Sequence, residues 1–289
     1  MTSPKTIQIF LPDGDPTGIR ITEMTTSIMQ LIEFPRTQFS QFYQMPASSQ
    51  VGIYFLFGQN EGTGEELLYI GQSGELKKRL TNHAKNKQFW TKAAVAVSLT
   101  QNLTQTHALY LEWLAIQKAK AADRYRLHNE NSGSKPHVPP PLEADCHEIF
   151  SILSTLLGTL GHPVFRKIST YAEDTHFDNV NSTQPDYFYL NYGDAEAKGV
   201  MTNEGFLVLA GSKASYDNTF KAKTRTKHRD ALIDQGVAKI ENGDFILLKD
   251  YLFKTPSGAA STIVNTAING WREWKNENGQ SLDEIYRTE

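Results

Sequence analysis

The sequence predicts an α+β fold spread over about two domains. Residues 51–57 (VGIYFLF) and 67–70 (LLYI) are short apolar, aromatic runs. The polar turn between them holds Gly58, Gly62 and Gly64, which is the pattern of a β-hairpin with a longish loop. A segment with Leu76, Leu80 and Ala84 at helical spacing comes next, and 104–127 has the composition of a long helix. After a proline-rich stretch, a second mixture of strand-like and helical segments runs to the end of the chain.

Taken in order, residues 1–49 read as an extension. Residues 6–11 alternate, meet the turn Pro12-Asp13-Gly14-Asp15, and 18–24 alternate again, so 5–24 is expected to form a hairpin. Residues 25–42 read as a short helix or loop punctuated by Pro35, and Arg20 and Arg36 read as ordinary surface arginines. The glycine-rich hairpin and the basic helix open a domain over 50–130. Within it, 93–99 (AAVAVSL) is a third strand, ahead of the long helix. Residues 131–142 (NSGSKPHVPPPL) are a stiff linker, and 143–160 form a connecting helix stopped by Gly161 and Pro163. The final domain, 163–289, opens with a polar loop at 171–185. Strands are expected at 187–192, 197–202, 205–210 and 245–248, and helices at 224–235 and 256–268. Trp271 and Trp274 are spaced as core or lid residues, with base stacking as the other use.

The chain of 289 residues is 39% hydrophobic and lacks any apolar run long enough to span a bilayer. Its N-terminus shows no secretory pattern, and its one cysteine, Cys146, can form no internal disulfide. A cytoplasmic protein with no membrane partner is expected. The net charge of −3 argues against an indiscriminate polyanion binder, so the distribution of charge matters more than its sum. Residues 76–92 and 220–229 are basic and free of Asp and Glu. Lys77, Lys78, Lys85 and Lys87 in the first, and Lys221, Lys223, Arg225 and Lys227 in the second, are candidate contacts to DNA phosphates. Solvated helix faces would produce the same pattern.

Gly52-Ile53-Tyr54 and Tyr69-Ile70-Gly71 resemble the two tripeptides that name the GIY-YIG nuclease family. The order of the residues beyond them resembles it too: Arg79 and then His83 on the next helix, Glu112 on the long helix, and Asn129 after it. Two departures stand out: a longer gap between the tripeptides, and Gln72 where some relatives carry Lys. The resemblance implies a small antiparallel three-stranded sheet flanked by helices. It implies a Mg²⁺- or Mn²⁺-dependent DNA endonuclease, with Tyr54, Tyr69, Arg79, His83, Glu112 and Asn129 catalytic and Glu112 the metal ligand. The words GFLVLAGSKAS, NGWREWK and LDEIYR, with residues 257–261, resemble an uncharacterised domain that recurs behind GIY-YIG modules in bacterial proteins.

The residues can be weighed without the resemblance. Three and four positions from Glu112 stand Ala108, Leu109, Ala115 and Ile116, all apolar, so the carboxylate lies on the inward face of its helix. A carboxylate there must bind a cation or pair with a base such as Arg79. Arg79 offers a planar fork to phosphate oxygens. A phenol serving as base has to lose its proton, which from a reference pKa of about 10 to neutrality takes roughly 4 kcal/mol. An imidazole needs no such help, so Tyr69 and His83 both stand as candidate bases. Asn129 would orient a phosphate or a catalytic group. A nucleic-acid-binding protein with an impaired catalytic set, and an interaction protein with no nucleic-acid partner, are the alternatives.

Overall fold

The computed structural model describes residues 4–60, 64–129, 133–167, 186–216 and 223–287, with the side chains of 223–226 outside that description. The chain divides into two compact units, Met1–Lys167 and Ile168–Glu289. Each carries its own sheet and helices, so the architecture is α+β. Residues 1–49 and 131–162 lie in the same unit as 50–130. Among the described residues no helix is long and apolar enough to cross a membrane.

The strands of the first unit are β1 (Ile7–Phe10), β2 (Arg20–Met24), β3 (Met29–Pro35), β4 (Gly52–Gln59), β5 (Glu66–Ser73), β6 (Trp90–Ser98) and β7 (Arg126–Leu127). The helices are α1 (Phe39–Gln44), α2 (Leu76–Asn86), α3 (Gln105–Ala122) and α4 (Pro140–Thr159). The sheet order is β1-β2-β3-β6-β4-β5-β7, so the central trio β6-β4-β5 is extended by the N-terminal strands. All neighbours are antiparallel except β5 and β7.

Side chains alternate across this sheet and so divide the core in two. Ile53, Phe55, Leu68 and Ile70 join Leu111 and Leu114 of α3 and Leu153 and Leu156 of α4. Tyr54, Leu56 and Val95 instead join Phe42 of α1 and Leu76 and Leu80 of α2, with Tyr69 packed against them. Both motif tyrosines therefore face α2. The motif glycines allow the close packing this needs. A Cβ on Gly71 would lie 2.2 Å from the Tyr54 hydroxyl, and one on Gly52 2.6 Å from the Ala96 carbonyl.

Several expectations change. Residues 29–35, read as helix or loop, form β3 and pair with β2 and β6. The acid in that strand, Glu33, is 1% exposed. It accepts hydrogen bonds from Arg20 and 2.7 Å from the His162 ring, with Lys92 at 3.4 Å. Burial works to raise its pKa, but the His162 bond and the three neighbouring charges outweigh it and hold the carboxyl below its ordinary value. Arg20 thus works inside the fold. So does Arg36, which donates to the carbonyls of Ala84, Lys87, Gln88 and Trp90 around the end of α2. The long helix ends at Ala122, and Arg126–Leu127 is a strand. The last prolines of the linker start α4, Pro140 and Pro141 supplying no N–H where a helix needs none.

The second unit holds β8 (Tyr187–Tyr192), β9 (Ala195–Thr202), β10 (Gly205–Val208), β11 (Lys213–Ser215), β12 (Ala238–Glu241), β13 (Asp244–Leu247) and β14 (Tyr251–Phe253). Its helices are α5 (Lys223–Asp234), α6 (Pro256–Ile263), α7 (Gly270–Glu273) and α8 (Leu282–Tyr286). The sheet runs β12-β13-β11-β9-β10-β14, with β8 also on β9. The helix expected over 256–268 stops at Ile263. β11, β12 and β14 had no sequence signal strong enough to name, and the loop expected at 171–185 lies outside the described residues. Trp274 is fully buried against Phe206 and donates its indole N–H to Pro256, so it is a core residue. Trp271 is half-buried under the Arg287 guanidinium.

Candidate active site

Helix α2 carries Arg79 and His83 one turn apart, so both meet the tyrosine face of the sheet. Tyr54 is 0% exposed. Its hydroxyl accepts a hydrogen bond from Arg79 Nε at 3.2 Å and shares a second, 2.8 Å long, with His83 Nε2, whose direction follows the imidazole tautomer. Tyr69 packs beside them, its ring centroid 6.2 Å from that of Tyr54 and 5.1 Å from that of His83. Lys87 lies over the Tyr69 ring at 4.4 Å. Arg79 also interacts with Tyr69.

Tyr69, Arg79, His83 and Lys87 line one wall of a cleft of about 550 Å³. Leu109, Glu112, Trp113 and Ile116 of α3 line another part, with His128, Asn129, Gly133, Ser134 and Pro136 completing it. Five of the six predicted catalytic residues thus share one cleft, and the sixth, Tyr54, lies behind it and holds two of them. No ion pair joins Arg79 and Glu112 among the described residues. Arg79 gives its Nε to Tyr54 instead.

The electrostatics arise from burial. Desolvation raises the Tyr54 pKa well above the phenol range, helped by Tyr69 and opposed by Arg79. Burial, with the charges of Arg79 and Lys87, lowers His83 to about 4, so the ring is neutral at physiological pH. Burial pushes Glu112 above the usual carboxylate range, against the Arg79 charge and a hydrogen bond from the Gln72 backbone. The Gln72 side chain is bound by Gln105.

Asn129 lines the cleft, yet both ends of its amide are held by Ile70: Oδ1 accepts from Ile70 N at 3.0 Å and Nδ2 donates to Ile70 O at 2.7 Å. Strand β7 pairs only with Leu67 and Leu68, and Asn129 extends that edge one residue past Tyr69. These two bonds tie the residue after β7 to β5 beside Tyr69. Of the first basic stretch, Lys87 enters the cleft. Lys77 lies over Tyr43 at 4.1 Å, Lys78 pairs with Glu75 at 2.6 Å, and Lys85 is exposed. In the second stretch Lys221 lies outside the described residues, as do the side chains of Lys223 and Arg225, while Lys227 is exposed. Arg229 is 0% exposed. It donates to the carbonyls of Thr262, Ser215 and Ile263, and burial lowers its pKa to about 10. That arginine braces the core. Trp113 and His128 were not singled out from the sequence. Trp113 was detectable, since it is next to Glu112 on the same helix face, whereas His128 carried no signal.

A metal can be judged against the donors present. Among the described residues no three or more His, Cys, Asp or Glu side chains cluster as a ligand set. Among the described residues Glu112 alone brings a carboxylate into the cleft. That donor set suits Mg²⁺ or Mn²⁺ held through one carboxylate, with water and phosphate oxygens as the other ligands. A half-buried carboxylate disfavoured by desolvation gains most from such a cation.

Residues 188–286 match the family model described as "Domain of unknown function (DUF4357)", which covers nearly all described residues of the second unit. No curated protein and no solved structure matches the chain. The family match lies wholly in the second unit, so the GIY-YIG likeness of the first rests on its own motif residues.

Proposed function

We propose that the first unit is a divalent-metal-dependent DNA endonuclease of the GIY-YIG type, and that the second aids substrate binding. The observation that carries this reading is the convergence of Tyr69, Arg79, His83 and Glu112 on one cleft, with Tyr54 bonded behind it to Arg79 and His83.

Arg79 is exposed, aimed by Tyr54, and presents its guanidinium to the non-bridging oxygens of a phosphodiester. Lys87 adds a second positive charge beside it. Tyr54 is buried and engaged at its oxygen, so it serves as a positioning residue. His83 Nε2 is taken up by Tyr54, which leaves Tyr69 as the phenol meeting the cleft. In the hydrolysis, the water oxygen bonds to phosphorus and the bond to the leaving oxygen breaks. Tyr69, having first given its own proton to solvent, takes the water's proton as a phenolate, and the leaving oxygen takes one from solvent. A Mg²⁺ or Mn²⁺ ion on Glu112 would supply charge relief at the scissile phosphate and leaving oxygen.

The test is nicking of supercoiled plasmid in Mg²⁺ by the full chain and by Glu112→Gln. Wild type is expected to nick, and the variant to lose at least about 10³-fold in rate. A variant as active as wild type removes Glu112 from the mechanism. Wild type that binds DNA and never cuts it would make the protein a binding module.

A further inference from the structure

The cleft is not lined as a phosphate site alone would be. Helix α3 presents Leu109, Glu112, Trp113 and Ile116 to it, at i, i+3, i+4 and i+7 of one face. Leu109 is 40% exposed. Trp113 is half-buried, held by Tyr110 at 5.4 Å and Lys135 at 5.7 Å between centroid and partner. Pro136 adds a further apolar surface. His128 stands exposed at the rim, stacked on Phe89 at 4.5 Å with 5° between the planes. The cationic groups, Arg79 and Lys87, lie on α2 and just after it, across from the Glu112 carboxylate on α3.

A phosphate needs only donors and positive charge. Leaving a leucine and an indole open to water beside two cations is unfavourable unless something flat and apolar covers them. An occupant with an anion at one end and a planar apolar body at the other meets both walls. A nucleotide has that shape, but inside a duplex its base faces are covered by neighbouring bases and only its phosphate is free. A cleft of about 550 Å³ falls in the range that encloses one small organic ligand.

We infer that the cleft holds an unpaired nucleotide, its base against Leu109 and Trp113 and its phosphate at Arg79 and Lys87, so that the substrate is DNA with a single-stranded segment. This rests on the proposed nuclease activity and names its substrate class.

The experiment compares cleavage in Mg²⁺ of three end-labelled DNAs sharing one sequence: fully paired, single-stranded, and paired with a single-stranded branch. Wild type is expected to cut the two with unpaired nucleotides at least tenfold faster than the duplex, since stacking on an aromatic is worth about 5- to 150-fold per base. Trp113→Ala is expected to lower that ratio about tenfold, and Trp113→Phe to keep it. Leu109→Ser, at an exposed position, is expected to lower the ratio without loss of folding. Equal cutting of paired and unpaired DNA overturns this inference and leaves the nuclease reading standing. A preference that survives both Trp113→Ala and Leu109→Ser also overturns it. No cutting and no binding of any of the three overturns both.

Discussion

Two arginines from two similar basic stretches end in opposite places. Arg79 stands exposed at the mouth of a cleft, giving Nε to a buried tyrosine and keeping its guanidinium open to solvent or a ligand. Arg229 is sealed in the second unit, with three backbone carbonyls around it and the Phe245 ring 4.8 Å from its guanidinium carbon. Both stretches look alike as strings of Lys and Arg without acids. The difference is that Arg79 keeps its guanidinium exposed at the cleft, whereas Arg229 turns its guanidinium to backbone carbonyls inside the core. A guanidinium sealed from solvent cannot reach a phosphate.

The contrast is sharpest in a pair of alanine variants. Arg79→Ala is expected to slow plasmid nicking by about 10³-fold while shifting stability by less than about 1 kcal/mol. Arg229→Ala is expected to destabilise the second unit by about 2–4 kcal/mol, since three buried carbonyls lose their donors together. Nicking rates beside thermal denaturation of each variant check this. An Arg79→Ala protein that melts early and an Arg229→Ala protein that does not would reverse the assignment.

Tyr54→Phe is the next largest. It leaves Arg79 Nε and His83 Nε2 without their buried partner, for a loss of about 1–2 kcal/mol. Nicking is expected to fall about tenfold, because Arg79 is no longer aimed. Wild-type rates in Tyr54→Phe would confine that tyrosine to packing.

Acid stability tests whether the His83 imidazole is held neutral in the fold. His83 has its pKa lowered from 6.5 to about 4 in the folded protein, so the unfolded chain binds its proton first. The stabilisation from keeping it neutral is complete above pH 6.5 and is lost as pH falls from there toward 4. Chemical denaturation between pH 7 and 4 is expected to show a steeper loss for wild type than for His83→Gln. Parallel curves would mean that the imidazole is not held neutral.

The smallest effect concerns lysines. Lys87, over Tyr69 in the cleft, is expected to contribute about one phosphate contact, so Lys87→Ala lowers the salt slope of DNA binding by about 1. The same measurement on Lys227→Ala tests whether the exposed part of the second basic stretch meets DNA at all.

How far the residues alone revealed this protein varies from element to element. The hairpin of β4 and β5 was legible because apolar runs broken by glycines leave few other readings. Arg79 with His83, and Glu112 with its apolar neighbours, were legible because helical spacing puts them on defined faces. Strand β3 was not legible. Its Glu33 is buried only because Arg20, Lys92 and His162 arrive from elsewhere in the chain to pair with it. Asn129 was visible as a polar residue after a long helix, but its bonds to Ile70 exist only because β7 turns back onto β5.

The order of the residues determined by itself which groups could share a strand or a helix, since periods of two and 3.6 are local properties. Tertiary structure alone decided which of them are satisfied. It placed Tyr54 behind the cleft and Tyr69 within it, and it buried Arg229 while leaving Arg79 open. The reason is physical: desolvation and hydrogen-bond satisfaction depend on every neighbour in space, and most of those neighbours are far away along the chain.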